Sequence, residues 1–243
     1  INVLDINEKP VCNNQIFTIN ENAPINTIVG TVIAFEPDFN QTLTYSILSG
    51  NYSDAFSLNE TDGLIKVNNP IALNYEDNEV FTLVVSVQDN GQGNLFTTSV
   101  ITINVLNENE YPVFENQAFD VLENSAAGTE IGYLSASDPD TNQSISYSII
   151  GGNENETFGL NTASGLLTVT NPAGLLYNLN PLYTLTVVAQ DNGNDSLATL
   201  ALVTINVIQE IEGQVIYIDP TNENDLSENG TIEHPYDSWL DIS

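Results

Sequence analysis

Apolar and polar residues alternate with a period of two over much of the chain. In the run Phe81 to Val87, Phe81, Leu83, Val85 and Val87 share one face, and between Val100 and Val105 the residues Ile101, Ile103 and Val105 do the same. Such alternation marks half-buried β-strands. Shorter apolar runs at Thr27 to Ala34, Leu43 to Ile47, Ala55 to Leu58 and Leu64 to Val67 add further strand candidates. No segment sustains the 3.6-residue period of a helix. Asp62-Gly63 and Asn90-Gly91 punctuate the pattern as tight turns, where glycine supplies backbone freedom. Seven or so short strands in each stretch of about 100 residues predict an all-β fold, an antiparallel sandwich of Greek-key type.

The pattern is written twice. Residue i matches residue i+102 without a gap: Glu21-Asn22 falls on Glu123-Asn124, Glu36-Pro37-Asp38 on Asp138-Pro139-Asp140, and Gln88-Asp89-Asn90-Gly91 on Gln190-Asp191-Asn192-Gly193. Copies of about 100 residues are large enough to bury their own cores, so each is expected to fold alone. The expected organisation is a linker over 1–10, a first sandwich over 11–110, a second over 111–212, and an incomplete β segment over 213–243. Ile1-Asn2-Val3-Leu4-Asp5 repeats Ile103-Asn104-Val105-Leu106-Asn107, so the chain reads as an excerpt with an earlier copy before it.

Composition sharpens the picture. Asp and Glu number 33 against two lysines and no arginine, for a formal charge of −31. Nucleic acid is excluded as a partner, since its binding draws on Lys and Arg at phosphates, and so is an anionic membrane surface. Divalent cations are the natural remedy for such self-repulsion; the acidic surface of a secreted or salt-adapted protein is the plainer alternative. With 41% hydrophobic residues the chain is globular, not disordered. No run approaches the length of a membrane span, so the segment is not itself membrane-spanning. Cys12, the single cysteine, stands where the second copy has Phe114, and a buried small hydrophobe is its expected role.

The acidic residues that survive the 102-residue shift lie at strand ends and in the linkers. Clusters of Asp, Glu and Asn without His or Cys suit an oxygen-liganded cation such as Ca²⁺ and not Zn²⁺. Turn formation alone also favours Asp and Asn, but it would accept Ser or Gly where Glu21 and Glu123, or Asp89 and Asp191, are retained. The motifs occur in a fixed order: Glu-Asn near the first strand, Asp-Pro-Asp after the second, Leu73-Asn74-Tyr75-Glu76, Gln-Asp-Asn-Gly, and a closing Asn-Glu-Asn-Glu-x-Pro. That order resembles the cadherin repeat, over Val11 to about Glu110 and again over Val113 to about Glu212. The resemblance implies tandem seven-stranded cadherin (Ig-like) sandwiches with Ca²⁺ held at the joints between repeats.

Carried over by position, the resemblance implies a middle joint with Glu21 and Glu76 from the upstream repeat and Asn107, Asn109 and Glu110 from the linker, by side chain or carbonyl. The downstream repeat would add Asp138, Asp140 and Asp191, with Asn142 as a further donor. At the N-terminal joint it implies Asp5, Asn7, Glu8, Glu36, Asp38 and Asp89. Asn74 and Asn107 depart from the family's aspartates, which implies fewer or weaker ions in the middle joint. A third joint keeps Glu123, but Glu76 becomes Asn178 and the linker reads Gln209-Glu210-Ile211-Glu212-Gly213, so weak or absent calcium and more bending are expected there.

No enzyme chemistry is visible in this segment: the one histidine, His234, is followed by proline, and no nucleophile and base pair is recognisable. The tail from Gln214, with Tyr217-Ile218-Asp219-Pro220 and later His234-Pro235-Tyr236-Asp237-Ser238-Trp239, resembles the opening of right-handed parallel β-helix domains of bacterial secreted proteins. Two functions follow. In one, the chain is a calcium-stiffened stalk or adhesive segment of a large bacterial cell-surface or secreted protein. In the other it is the spacer of a secreted polysaccharide-degrading enzyme whose catalytic β-helix starts near residue 214. Both place it outside the cell, with neighbouring repeats as partners and with homophilic or surface-glycan contacts open. Asn-x-Ser/Thr sequons, such as Asn40 and Asn142, are frequent in so Asn-rich a chain and do not decide the source.

Overall fold

The computed structural model describes residues 6–209. Asp5, Glu210 to Gly213 and the β-helix-like tail lie outside the described residues. The chain divides into two compact units, one of Ile1–Pro112 with Asp138–Ser144 and Asp191–Leu197, the other of Val113–Ser137, Ile145–Gln190 and Ala198–Ser243.

The first copy contains β1 (Gln15–Asn20), β2 (Ile28–Thr31), β3 (Leu43–Ser49), β4 (Phe56–Leu58), β5 (Leu64–Val67), β6 (Val80–Asp89) and β7 (Phe96–Leu106). They form two sheets, ordered β1-β7-β6-β3 and β2-β5-β4. The second copy repeats the set as β8 (Gln117–Leu122), β9 (Glu130–Tyr133), β10 (Ser146–Gly151), β11 (Phe158–Leu160), β12 (Leu166–Val169), β13 (Leu182–Gln190) and β14 (Ala198–Ile208). Its sheets are β10-β13-β14-β8 and β11-β12-β9. The alternation that marks β6 and β7 sets their register, Phe81 opposite Ile103 and Leu83 opposite Ile101, with all four buried in the first core. Burying each such side chain contributes about 1.5 to 3 kcal/mol.

Two expectations need correction. The sandwiches are not wholly antiparallel: β1 runs parallel to β7, and β8 to β14. β1 is also a strand the alternation does not single out, because Ile16 is apolar yet exposed, next to the half-buried Phe17 and the buried Ile19. The run Thr27 to Ala34 yields only Ile28–Thr31, whose pairing with β5 slips between Ile28 and Gly30.

The two cores are edited copies. Phe56 and Phe81 meet edge to face at 5.0 Å; Phe158 and Tyr183 do so at 4.9 Å. The added phenol of Tyr183 donates to the carbonyl of Gly174, and glycine replaces Ala72 there because a Cβ would strike the Thr157 side chain. Phe114 fills its core at 5.8 Å from Tyr147, whereas Cys12 is half-buried against the first core with its Sγ 3.5 Å from the Ile33 carbonyl. Gly63 and Gly165 both sit at φ 72°, the left-handed turn conformation expected of them.

Candidate metal centre

β1 ends at Asn20, so the next residue, Glu21, turns back towards the end of β7 and donates its N–H to the Leu106 carbonyl. Glu21 is 2% exposed, and its carboxylate accepts from two backbone amides, Glu108 N–H on Oε1 at 2.8 Å and Tyr75 N–H on Oε2 at 2.9 Å. Glu76 is set by the turn of Leu73 to Glu76, where its N–H donates to Asn74 Oδ1 at 3.0 Å. Glu110 is steadied by Asn22, whose Nδ2 donates to Oε1 at 2.9 Å. One oxygen each of Glu21, Glu76 and Glu110 can lie within 4.8 Å of one another. Burial holds Glu76 above the usual carboxylate range, and the negative charges of Glu21, Glu110 and Asp140 push the same way.

A second set adjoins it within the first unit. Asp140 is buried and accepts from Glu110 N–H through Oδ2 at 2.8 Å; Asp138 Oδ1 accepts from Asp140 N–H at 3.0 Å. Asp191, also buried, takes Gly193 N–H and Leu197 N–H on Oδ1, at 2.9 and 3.0 Å, and Asn109 Nδ2 on Oδ2 at 3.1 Å. Asn109 Nδ2 also reaches the Asn194 carbonyl at 2.7 Å, while its Oδ1 accepts from Gln143 Nε2 at 2.6 Å. Burial, with the charges of Asp140 and Asp191, raises Asp138. Four buried oxygens in these two sets have no hydrogen-bond partner: Glu76 Oε2, Asp138 Oδ2, Asp140 Oδ1 and Gln143 Oε1. Leaving a buried acceptor unsatisfied costs about 1 to 3 kcal/mol, more for a charged group. An oxygen-rich set with orphaned anionic atoms and no basic residue fits a hard cation.

The first copy builds the same cradle from Asn7, Glu8, Glu36, Asp38 and Asp89. Glu8 N–H donates to Asp38 at 2.8 Å, Asn7 Nδ2 to Asp89 at 3.2 Å, and Gln41 Nε2 to Asn7 at 2.6 Å; Glu36 Oε2 and Gln41 Oε1 are buried and unpartnered. Asn107 and Asn142 have exposed side chains, and no hydrogen bond among the described residues draws them into the set. Glu123 is half-buried and accepts from Tyr177 N–H at 3.2 Å, but Asn178 stands in the place of Glu76 and the facing linker lies outside the described residues.

Sequence reasoning missed two parts of the cradle. Gln41 and Gln143 hold the linker asparagines, and their retention across the shift was the available signal. Gly91 and Gly193 do not adopt positive φ; a Cβ on Gly193 would collide with Asn109 Oδ1 and Gln143 Oε1. Close approach, not backbone freedom, requires these glycines.

The model of the cadherin domain matches residues 15–106 and 117–208, the spans from β1 to β7 and from β8 to β14. The chain belongs to the cadherin family. It is 31% identical to human Protocadherin Fat 1 over 224 residues, 89% of this chain and 5% of that protein. It is likewise 31% identical to the Drosophila melanogaster protocadherin-like wing polarity protein stan over 245 residues, 96% of this chain and 7% of that one. The chain therefore spans only a small part of the relatives it matches. Among solved structures, three repeats of mouse Cadherin-23 superpose with a TM-score of 0.62 at 26% identity, covering 84% of this chain and 65% of that one. The two copies are thus cadherin repeats of an extracellular, adhesion-type region, modules that are generally not enzymes and generally bind Ca²⁺ between successive domains. No helix among the described residues is long and apolar enough to cross a membrane.

Proposed function

We propose that this chain is a calcium-stiffened stalk or adhesive segment, in which Ca²⁺ fixes each repeat to the next. The observation that carries this reading is the set of buried, unpartnered oxygens on Glu76, Asp138 and Asp140, beside the Glu21, Glu76 and Glu110 cluster. Glu21, Glu76 and Glu110 would hold one part of the ion set, and Asp138, Asp140, Asp191 and Asn109 the other. When bound, the ion supplies positive charge that offsets the repulsion among these carboxylates. The residues themselves do the positioning. Backbone amides at 108 and 75 aim Glu21, one on each carboxylate oxygen; Gly193 and Leu197 aim Asp191 through Oδ1 while Asn109 takes its Oδ2; and the Glu110 N–H aims Asp140 through Oδ2, leaving Oδ1 unpartnered. Without a cation, a linker as short as Asn107 to Pro112 would hinge between acidic ends.

Asn7, Glu8, Glu36, Asp38 and Asp89 would serve the preceding joint together with Asp5, and Asn107 and Asn142 would contribute by carbonyl or side chain. The segments 11–110 and 111–212 are the repeat boundaries we assign. Homophilic contact is the partner class this reading favours. The acidity and the β-helix-like tail support a bacterial surface protein, and that same tail supports the alternative of a spacer ahead of a polysaccharide-degrading domain; full-length sequence separates the two.

Isothermal titration calorimetry tests the metal reading. The wild-type chain should bind Ca²⁺ at Kd values of about 10⁻⁴ to 10⁻³ M or tighter, the range of extracellular modules. Asp140→Asn should remove part of that heat. No saturable binding, or binding unchanged in Asp140→Asn and Glu21→Gln, would overturn the assignment.

A further inference from the structure

A groove crosses the outer face of the first copy where β3, β6 and β7 lie side by side. It holds about 560 Å³, a volume typical of small-molecule sites, and its lining includes Ser46, Leu48, Glu60, Ser86, Gln88 and Phe96. Strand pairing sets these residues in rows. Ser46 stands opposite Ser86, while Thr44 pairs with Gln88 and Gln88 with Phe96 in the next row on the same face. Gln88 Nε2 donates to the Asn94 carbonyl at 2.9 Å, which orients its amide. Glu60 comes from the turn between β4 and β5; its carbonyl accepts from Tyr45 N–H at 2.9 Å, which fixes the residue beside edge strand β3 with its side chain exposed. Phe96 is 52% exposed. The second copy keeps this frame and loses its chemistry. Tyr147 N–H donates to the Thr162 carbonyl at 2.8 Å, and Ser148 and Gln190 recur, but Glu60, Ser86 and Phe96 are replaced by Thr162, Val188 and Ala198. None of the three first-copy residues is buried, so core packing does not require the acid, the hydroxyl or the ring.

We infer that this groove binds a neutral oligosaccharide of equatorially substituted hexoses. Such a ring carries C–H bonds on both faces, which pack on Phe96 and Leu48, and hydroxyls around its edge, which exchange hydrogen bonds with Ser46, Ser86 and Gln88. The Glu60 carboxylate accepts from sugar hydroxyls in charge-assisted bonds, the stronger kind. At a net charge of −31, uronic or sulfated sugars are repelled. A basic peptide is the poorer occupant, because Glu60 is the one carboxylate lining the groove and a single exposed ion pair contributes little. The inference goes beyond the calcium-stiffened stalk and does not rest on it.

Titrating the intact chain with cellotetraose in millimolar calcium, followed by backbone amide NMR, tests it. Signals of Ser46, Ser86 and Phe96 should shift and saturate with a Kd of about 0.1 to 1 mM, while those of Ser148, Val188 and Ala198 stay in place. The β-1,4-linked tetramer of glucuronic acid, the same backbone with a carboxylate on each ring, should move none of them. Glu60→Thr with Phe96→Ala installs the residues that the second copy carries and should weaken cellotetraose binding about tenfold or more. Circular dichroism verifies folding, and Ser86→Val is the second variant should that pair misfold. No saturable shift at the groove, equal shifts in both copies, glucuronate binding as tight as that of cellotetraose, or folded variants that bind like wild type would overturn the inference. Calcium calorimetry on the same samples separates the two readings: metal binding without sugar binding sinks this one alone, and sugar binding without metal binding leaves it standing while the stalk reading falls.

Discussion

Removing one charge from the glutamate cluster should have opposite effects with and without calcium. The perturbation is Glu76→Gln, which keeps the size of the side chain. At 4.8 Å a pair of carboxylates repels by about 0.9 kcal/mol in water and about 3.5 kcal/mol at an effective dielectric of 20. Glu76 is half-buried beside Glu21 and Glu110, so after allowance for screening the substitution should stabilise the calcium-free protein by about 1.5 kcal/mol. In a repeat of this size that raises Tm by roughly 6 °C or more. With Ca²⁺ at ten times Kd the ion itself contributes about 1.4 kcal/mol, and losing a charged ligand forfeits much of it. Differential scanning calorimetry in EDTA and in millimolar calcium should therefore show the variant melting above wild type in the first buffer and gaining far less than wild type in the second. A variant that melts lower than wild type by the same amount in both buffers would refute the reasoning, since that is what loss of an ordinary structural hydrogen bond would do.

Because Glu76 and Asp138 are held above the usual carboxylate range, the calcium-free native state binds protons more tightly than the unfolded chain. Their contribution to stability is thus full below the ordinary carboxylate values and is lost as pH rises through the raised ones. Mild acidification in EDTA should raise Tm, while in calcium it should lower Tm as protons displace the ion; urea or thermal melts at several pH values check both signs. Gly193→Ala should cost about 1 to 3 kcal/mol and weaken calcium binding, because the new Cβ displaces Asn109 and Gln143; Gly128→Ala, at a site with open space but positive φ, tests backbone strain alone. Leu185→Ala, fully buried in the second core, should cost about 2 to 5 kcal/mol in denaturant melts with calcium stoichiometry unchanged. Asn178→Glu should add calcium capacity at the Glu123 end, read as extra heat in calorimetry.

What the sequence made legible was whatever the repeat doubled or the strand period marked. β6, β7, β13 and β14 are long and alternate cleanly, so their core faces could be read directly. β1 could not, because half-buried Phe17 and buried Ile19 pack on the core while Ile16 lies outside, and apolar residues on both faces erase the period. Its parallel direction follows from tertiary placement that no local pattern encodes. Asp138, Asp140, Asp191 and Asn109, named from motif order, lie together, and their role as ligands is a proposal. The role of Gly193 was not legible, since a glycine after Asn looks like a turn until Asn109 is seen against it.

The most direct measurement is a crystal structure in calcium with an anomalous map at a wavelength that reports Ca²⁺. We expect peaks at about 2.3 to 2.6 Å from oxygens of Glu21, Glu76 and Glu110, and from Asp138, Asp140 and Asp191. Water alone at these oxygens, or carboxylates turned out to solvent with no anomalous signal among them, would contradict the metal-stiffened joint.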